Sequence, residues 1–149
     1  MAALAGVEYA RFYEFFMGQG ANLDAANIAN VIIEGSAGVG FVARASADAD
    51  ALCSSASKCD AAPWFEVRLS YALAAFLVAR TSPYSYFGVS GGWSSGCWCW
   101  HKEYDEVSKC GAPVAPAVRT SAHSWTREYE HCIVSVNTSA AEGSWTPRV

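Results

Sequence analysis

The sequence predicts an α/β fold that forms the C-terminal portion of a (β/α)8 TIM-type barrel, with about three βα units followed by a terminal β-hairpin. Strand-like and helical segments alternate along residues 7–89 and are joined by short links, which is typical of parallel βαβ units. Three such strands are too few to close a barrel, which takes about 250 residues. We therefore expect one incomplete barrel domain over residues 1–149, with residues 117–149 as a C-terminal β extension.

The first strand and the first helix have clear local signals. Residues 7–16 are apolar and aromatic and begin as a strand. Asp24 is a suitable N-cap for the helix that follows, because Ile28, Val31 and Ile32 recur at helical spacing.

The second helix begins at Pro63, since proline suits the first turn of a helix, and it ends before Pro83. The other elements follow from apolar or polar runs between turn residues. They are a strand at 39–45, a polar loop at 46–61, a strand at 84–89, a long loop at 91–116, a strand at 125–136 interrupted near His131, and a hairpin partner at 144–149.

Charge and hydropathy exclude two classes of partner. The net charge is −4, and no run of Lys or Arg occurs, so we expect neither nucleic acid nor an anionic membrane surface as a partner. The most apolar segment, residues 71–79, is far shorter than the roughly 20 residues that span a bilayer. We interpret this segment as a buried helix.

Three features bear on the cellular setting. Six cysteines and the glycosylation pattern Asn137-Thr138-Ser139 favour a secretory or extracellular protein. Residues 1–8 have no basic n-region and too short an apolar run for a signal peptide, and they read as the middle of a strand. We therefore expect the chain to be truncated, with an open sheet edge near residues 7–12 through which copies could self-associate.

An aromatic loop carries the strongest functional signal. Three tryptophans, Trp93, Trp98 and Trp100, lie within eight residues and are followed by Tyr104 and Asp105. Exposed indoles beside carboxylates suit sugar rings, because the apolar face of a pyranose stacks on an aromatic ring while its hydroxyls bind charged acceptors. The alternative is that these tryptophans pack in the core, as most tryptophans do.

Several distinct motifs follow one another along the chain. They are the run Tyr71–Ala79, the segment Tyr84–Trp93 with its Gly-Gly-Trp end, His101-Lys-Glu-Tyr-Asp105, Gly111-Ala-Pro, and Trp125–Asn137 with its Arg-Glu-Tyr-Glu step. In these motifs the chain resembles the C-terminal part of the glycosyl-hydrolase-like family 15 proteins of algae and microbes. The resemblance covers residues 6–137 and implies a barrel-type glycosidase relative that acts on or binds carbohydrate.

Glycoside hydrolysis requires two carboxyl groups that flank the scissile bond. We expect Glu8 and Glu14, in and after the first strand, and Asp105, on the loop after the third strand, as catalytic candidates. Ala10 stands near the position where the resemblance implies an acid, so we expect weak activity or none. The alternative is that these acids are ordinary solvated or ion-paired charges.

The sequence indicates no cofactor. The residues that we expect to contact carbohydrate are all aromatic. They are Tyr86, Trp93, Trp98, Trp100 and Tyr104.

Two further functions remain open at this stage. One is a non-catalytic carbohydrate-binding module, in which the aromatics stack on sugars and no acid pair exists. The other is a structural domain stapled by disulfides, or by zinc on Cys97, Cys99, His101 and Cys110. Cys-x-Cys-x-His is not the usual zinc spacing, so disulfides are the better interpretation of these cysteines.

Overall fold

A computed structural model describes residues 11–17, 41–46, 63–80, 85–90 and 100–149. Seven strands and two helices lie within these ranges. In chain order they are β1 (Arg11–Met17), β2 (Phe41–Ser46), α1 (Pro63–Ala79), β3 (Tyr86–Ser90), α2 (Lys102–Ser108), β4 (Val118–Ser121), β5 (Ser124–Glu128), β6 (Cys132–Asn137) and β7 (Glu142–Pro147). The helix predicted to follow Asp24 lies outside the described residues.

The described strands form two separate sheets. Strands β1, β2 and β3 make a parallel sheet in that order, and α1 connects β2 to β3. Strands β4 to β7 make an open antiparallel sheet in sequence order, with tight connections between neighbours. The larger sheet is therefore antiparallel and is built wholly from the last third of the chain.

This architecture corrects the predicted fold class: the chain is not a portion of a (β/α)8 barrel. In a barrel the helices form an outer ring around a single parallel sheet. Here α1 packs mainly on β6 and β7 of the antiparallel sheet. The expected terminal hairpin, β6 with β7, does form, but β4 and β5 extend it to four strands.

The packing of α1 explains its apolar sequence. Leu69 and all residues from Tyr71 to Ala79 are buried, on every side of the helix. A helix that is hydrophobic all round must be covered all round. The antiparallel sheet covers one side, and Phe87 of β3 and Ala43 of β2 belong to the same core on the other.

One glycine sets how closely α1 approaches the antiparallel sheet. A Cβ atom at Gly143 of β7 would lie 2.6 Å from the Ala74 Cβ and 2.7 Å from the Ser70 carbonyl oxygen. No side chain fits at these distances, so β7 lies directly against the helix backbone.

The C-terminus of α1 is held by a buried arginine on β5. The Arg127 guanidinium donates hydrogen bonds to the carbonyl oxygens of Ala115 at 3.1 Å and of Arg80, with longer contacts to Leu77 and Val78 at 3.4 Å. The Tyr129 hydroxyl also donates to the Leu77 carbonyl at 2.8 Å. The last carbonyls of a helix have no partner within it, so these side chains complete its hydrogen bonding.

A disulfide joins the end of α2 to the antiparallel sheet. Cys110 and Cys132 are bonded, with a sequence separation of 22. Cys110 is therefore not a zinc ligand, which removes one of the four residues of the zinc alternative. Cys53 and Cys59 flank a short polar segment, which makes them the easiest local disulfide to expect from the sequence, and both lie outside the described residues.

Candidate functional site

The candidate site is built where the chain enters α2. His101 is the N-cap residue and has an extended backbone, with φ −101° and ψ 141°. Glu103 and Asp105 occupy the first turn of this short helix, where negative charge is favoured by the exposed backbone N–H groups. The predicted loop at 91–116 therefore contains a helical turn that fixes its acidic residues.

Trp100 and Asp105 are in direct contact. The Trp100 indole Nε1–H donates a hydrogen bond of 3.0 Å to Asp105 Oδ1. Trp100 is nevertheless 71% exposed, and Asp105 is exposed as well. The hydrogen bond holds the orientation of a large aromatic surface that faces solvent.

A series of aromatic rings connects Trp100 to the core. The Tyr104 ring meets the Trp100 ring edge to face, with 5.3 Å between centroids, and meets Phe87 of β3 at 6.3 Å. Phe87 in turn lies 5.5 Å from Phe76 of α1. Such pairs stabilise by about 0.5–1.5 kcal/mol each beyond area burial. The buried His101 ring also lies edge-on to Tyr104, at 5.6 Å.

Tyr86 lies away from this cluster. It is 62% exposed and precedes Phe87 in β3. Successive residues of a strand point to opposite faces of the sheet, and Phe87 faces Tyr104 and Phe76. The structure therefore brings together Trp100, Tyr104 and Asp105 of the predicted site, and it places Tyr86 on the opposite face.

The remaining predicted residues have no described side-chain geometry. Glu8, Trp93 and Trp98 lie outside the described residues. Glu14 lies in β1, at the far edge of the parallel sheet with β2 between it and β3, and its side chain is not described. The assignment of Glu8, Glu14 and Asp105 as catalytic candidates therefore stays a prediction.

The sequence places Glu103 on the predicted loop but does not indicate its burial. Glu103 is only 4% exposed, although it lies in a short surface helix. Once α2 is recognised as a helix, the spacing of Glu103 to the half-buried Val107 and the buried Cys110 places all three on one helix face and indicates that Glu103 is buried. Residues two positions apart do not share a helix face, so Glu103 and Asp105 point in different directions.

The comparison with protein families gives a clear result. A sequence model described as hypothetical glycosyl hydrolase family 15 matches residues 42–133, which is more than half of the chain. The chain belongs to this family. The matched region runs from β2 to the start of β6 and includes Trp100, Tyr104 and Asp105.

Membership of hypothetical glycosyl hydrolase family 15 indicates a glycosyl hydrolase-like protein and confirms the resemblance found in the sequence. A comparison with curated proteins found no match. No helix within the described ranges is long and apolar enough to cross a membrane. In the same ranges, no three His, Cys, Asp or Glu side chains gather as they would around a metal ion.

Proposed function

We propose that this glycosyl hydrolase-like protein binds carbohydrate on Trp100, Tyr104 and Asp105, and that it hydrolyses glycosidic bonds weakly or not at all. The observation that supports binding most directly is the exposed Trp100 ring, held in place by its hydrogen bond to Asp105. A pyranose ring would stack on the indole face. Asp105 Oδ2, which the Trp100 hydrogen bond leaves available, would accept a hydrogen bond from a sugar hydroxyl.

The fixed but exposed position of the Trp100 ring favours stacking on a ligand over packing in the core. A side chain that served only the core would be shielded, whereas this indole is exposed while its edge is fixed by Asp105 and Tyr104. A fixed ring loses little conformational freedom when a ligand stacks on it.

Two observations support weak or absent hydrolysis: Ala10 stands near the position where the family resemblance implies an acid, and Glu103 does not face the same way as Asp105. Hydrolysis generally needs two carboxyl groups about 5–9.5 Å apart across the scissile bond. Glu103, the nearest acid in sequence on the N-terminal side, is buried and points in a different direction from Asp105. Asp105 is the one acid that contacts the proposed stacking ring among the described residues. A non-catalytic carbohydrate-binding module is therefore the second candidate.

Calorimetric titration with β-linked and α-linked oligosaccharides tests binding. We expect Trp100→Ala to weaken binding about fivefold or more, which corresponds to about 1 kcal/mol for an aromatic contact. Trp100→Phe keeps an aromatic ring but removes the Nε1–H donor, so its loss should be smaller. Trp145→Phe, on β7 and half-buried, is the matched control and should leave affinity unchanged.

The opposite pattern would refute binding at this site. If Trp100→Ala binds as the unaltered protein does but melts several degrees lower, the indole stabilises the fold and does not contact sugar. A panel of aryl glycosides then tests hydrolysis separately. Turnover that disappears in Asp105→Asn would show that the protein is an active hydrolase.

A further inference from the structure

We propose that Asn137 is a site of N-linked glycosylation. The sequence Asn137-Thr138-Ser139 has the acceptor pattern, and the chain contains no second copy of it. Asn137 is the last residue of β6, and residues 138–141 form the turn that leads into β7. The acceptor therefore lies at the tip of a β-hairpin.

The side-chain amide of Asn137 is oriented with its nitrogen available. Its Oδ1 accepts hydrogen bonds from the Ser139 N–H at 3.1 Å, the Ser139 hydroxyl at 2.8 Å and the Ala140 N–H at 3.3 Å. All three contacts are made to the oxygen. None of these bonds uses the Asn137 Nδ2. Among the described residues, the Tyr71 hydroxyl is the only side-chain polar atom that is both buried and without a partner, so the Asn137 Nδ2, which has no partner, is exposed to solvent.

The hairpin tip is also held by contacts that do not involve the Asn137 side chain. The Thr138 N–H and hydroxyl both donate to the His123 carbonyl, at 2.8 Å and 3.3 Å. Asn137 also pairs with Ser124 of β5 and Glu142 of β7 in the sheet register. A sugar on Nδ2 would leave these backbone contacts in place.

The surface beside Asn137 has room for a first sugar. A shallow cavity of about 510 Å³ lies on this part of the antiparallel sheet, and Asn137 is part of its lining. Most of the other lining side chains are polar and carry hydroxyl or carboxylate groups. They include Thr120, Ser124, Thr126, Ser135, Glu142 and Ser144.

The disulfide indicates the compartment in which this modification occurs. The Cys110–Cys132 bond is typical of a protein in an oxidising environment, such as the lumen of the secretory pathway. N-linked glycans are added to translocated chains in the same lumen. The disulfide and the acceptor sequence are separate observations that point to one route.

The chemistry is a group transfer with no change in oxidation state. The donor is an oligosaccharide whose anomeric carbon is bonded to a lipid diphosphate. A bond forms between Asn137 Nδ2 and this carbon, while the bond from the carbon to the diphosphate oxygen breaks. The lipid diphosphate leaves with the electron pair, and the amide nitrogen gives one proton to a base of the transferase.

Expression behind a cleavable leader in eukaryotic cells tests the proposal. The translocated pool, exported or retained, is purified and its mass measured before and after treatment with a peptide N-glycosidase. We expect a glycan-sized mass on the peptide that contains Asn137, and conversion of Asn137 to Asp after the enzyme. Asn137→Gln and Ser139→Ala should both abolish the added mass, whereas Ser139→Thr, which keeps the hydroxyl, should retain it.

Two results would overturn the proposal. One is a translocated, disulfide-bonded chain whose Asn137 carries no glycan. The other is an added glycan mass that persists in Asn137→Gln. Because Ser139→Ala and Ser139→Thr differ in the acceptor hydroxyl, the pair separates loss of the acceptor from general disturbance of the turn.

Discussion

Replacement of Arg127 by methionine should strongly destabilise the protein. The Arg127 side chain is only 6% exposed, and its described hydrogen-bond partners are all carbonyl oxygens, three of them at the end of α1. Burial lowers the pKa of Arg127, while the neighbouring Tyr129 raises it and Arg80 lowers it further. Arginine remains charged even so, and its charge faces the negative end of the helix dipole.

The magnitude follows from these contacts. Hydrogen bonds from a charged donor contribute about 1.5–3 kcal/mol each, and Arg127 donates to four carbonyl oxygens, of which those of Leu77 and Val78 are the more distant. Part of this gain is offset by the desolvation of the guanidinium. The substitution would also leave buried carbonyls without partners. We therefore expect Arg127→Met to lower the free energy of unfolding by about 3 kcal/mol.

Chemical denaturation followed by circular dichroism, with the disulfide intact, measures this loss. Arg119→Met is the matched control, because Arg119 lies on the adjacent β4 and also donates to carbonyls, those of Ser121 and Ala122, but is exposed. We expect the control to change stability by less than about 1 kcal/mol. Equal effects of the two substitutions would refute a special role for the buried arginine at the end of α1.

Three other substitutions test the packing around α1. Tyr71→Phe removes a buried hydroxyl without a partner and should raise stability by about 1 kcal/mol at pH 7 in urea titrations. Burial raises the pKa of Tyr71 to about 12, so as the pH rises its hydroxyl ionises in the unfolded chain before it does in the folded one. The free energy of unfolding should therefore fall between pH 10 and 12, by at most about 3 kcal/mol. This fall should shrink in Tyr71→Phe, and an unchanged pH profile would contradict it. Gly143→Ala should lower the melting temperature markedly, because its Cβ would lie 2.6 Å from that of Ala74; an unchanged value would show that the helix can move away. Replacing Cys110 and Cys132 together by Ala should cost about 3 kcal/mol for a loop of this length, and a loss below about 1 kcal/mol would contradict that expectation.

Local signals in the sequence predict most of the described elements. Pro63 begins α1 as expected, and the apolar run 84–89 corresponds to β3 with a shift of one or two residues. The interruption near His131 separates β5 from β6, because residues 129–131 leave the ladder before Cys132. These features depend on neighbouring residues, so local patterns are sufficient to predict them.

The same local signals do not predict which sheet packs against α1. An all-apolar helix shows that it is buried, but its sequence does not say whether a parallel or an antiparallel sheet covers it. Strand β4 is exposed along all four residues and lacks the alternation that identifies a half-buried strand. Without it, the last third of the chain resembles an extension and not the main sheet.

The candidate site is predictable in part. The sequence singles out Trp100, Tyr104 and Asp105, and the start of α2 brings their side chains into contact. The separation of Tyr86 from them depends on strand alternation at Phe87. The burial of Glu103 depends on a helix of only seven residues within an apparent loop. The first follows from the two-residue period of the predicted strand at 84–89, whereas the second requires the helix itself to be recognised.

The disulfide also determines how the protein responds to proteolysis. Cys110 and Cys132 enclose residues 111–131, which contain β4, β5 and the exposed turn between them. A protease that cleaves this turn would break one peptide bond without releasing a fragment, because the bond between the sulfurs still joins the two pieces. Helix α2, with Trp100 and Asp105 at its start, would remain attached to β6 and β7 in the nicked molecule.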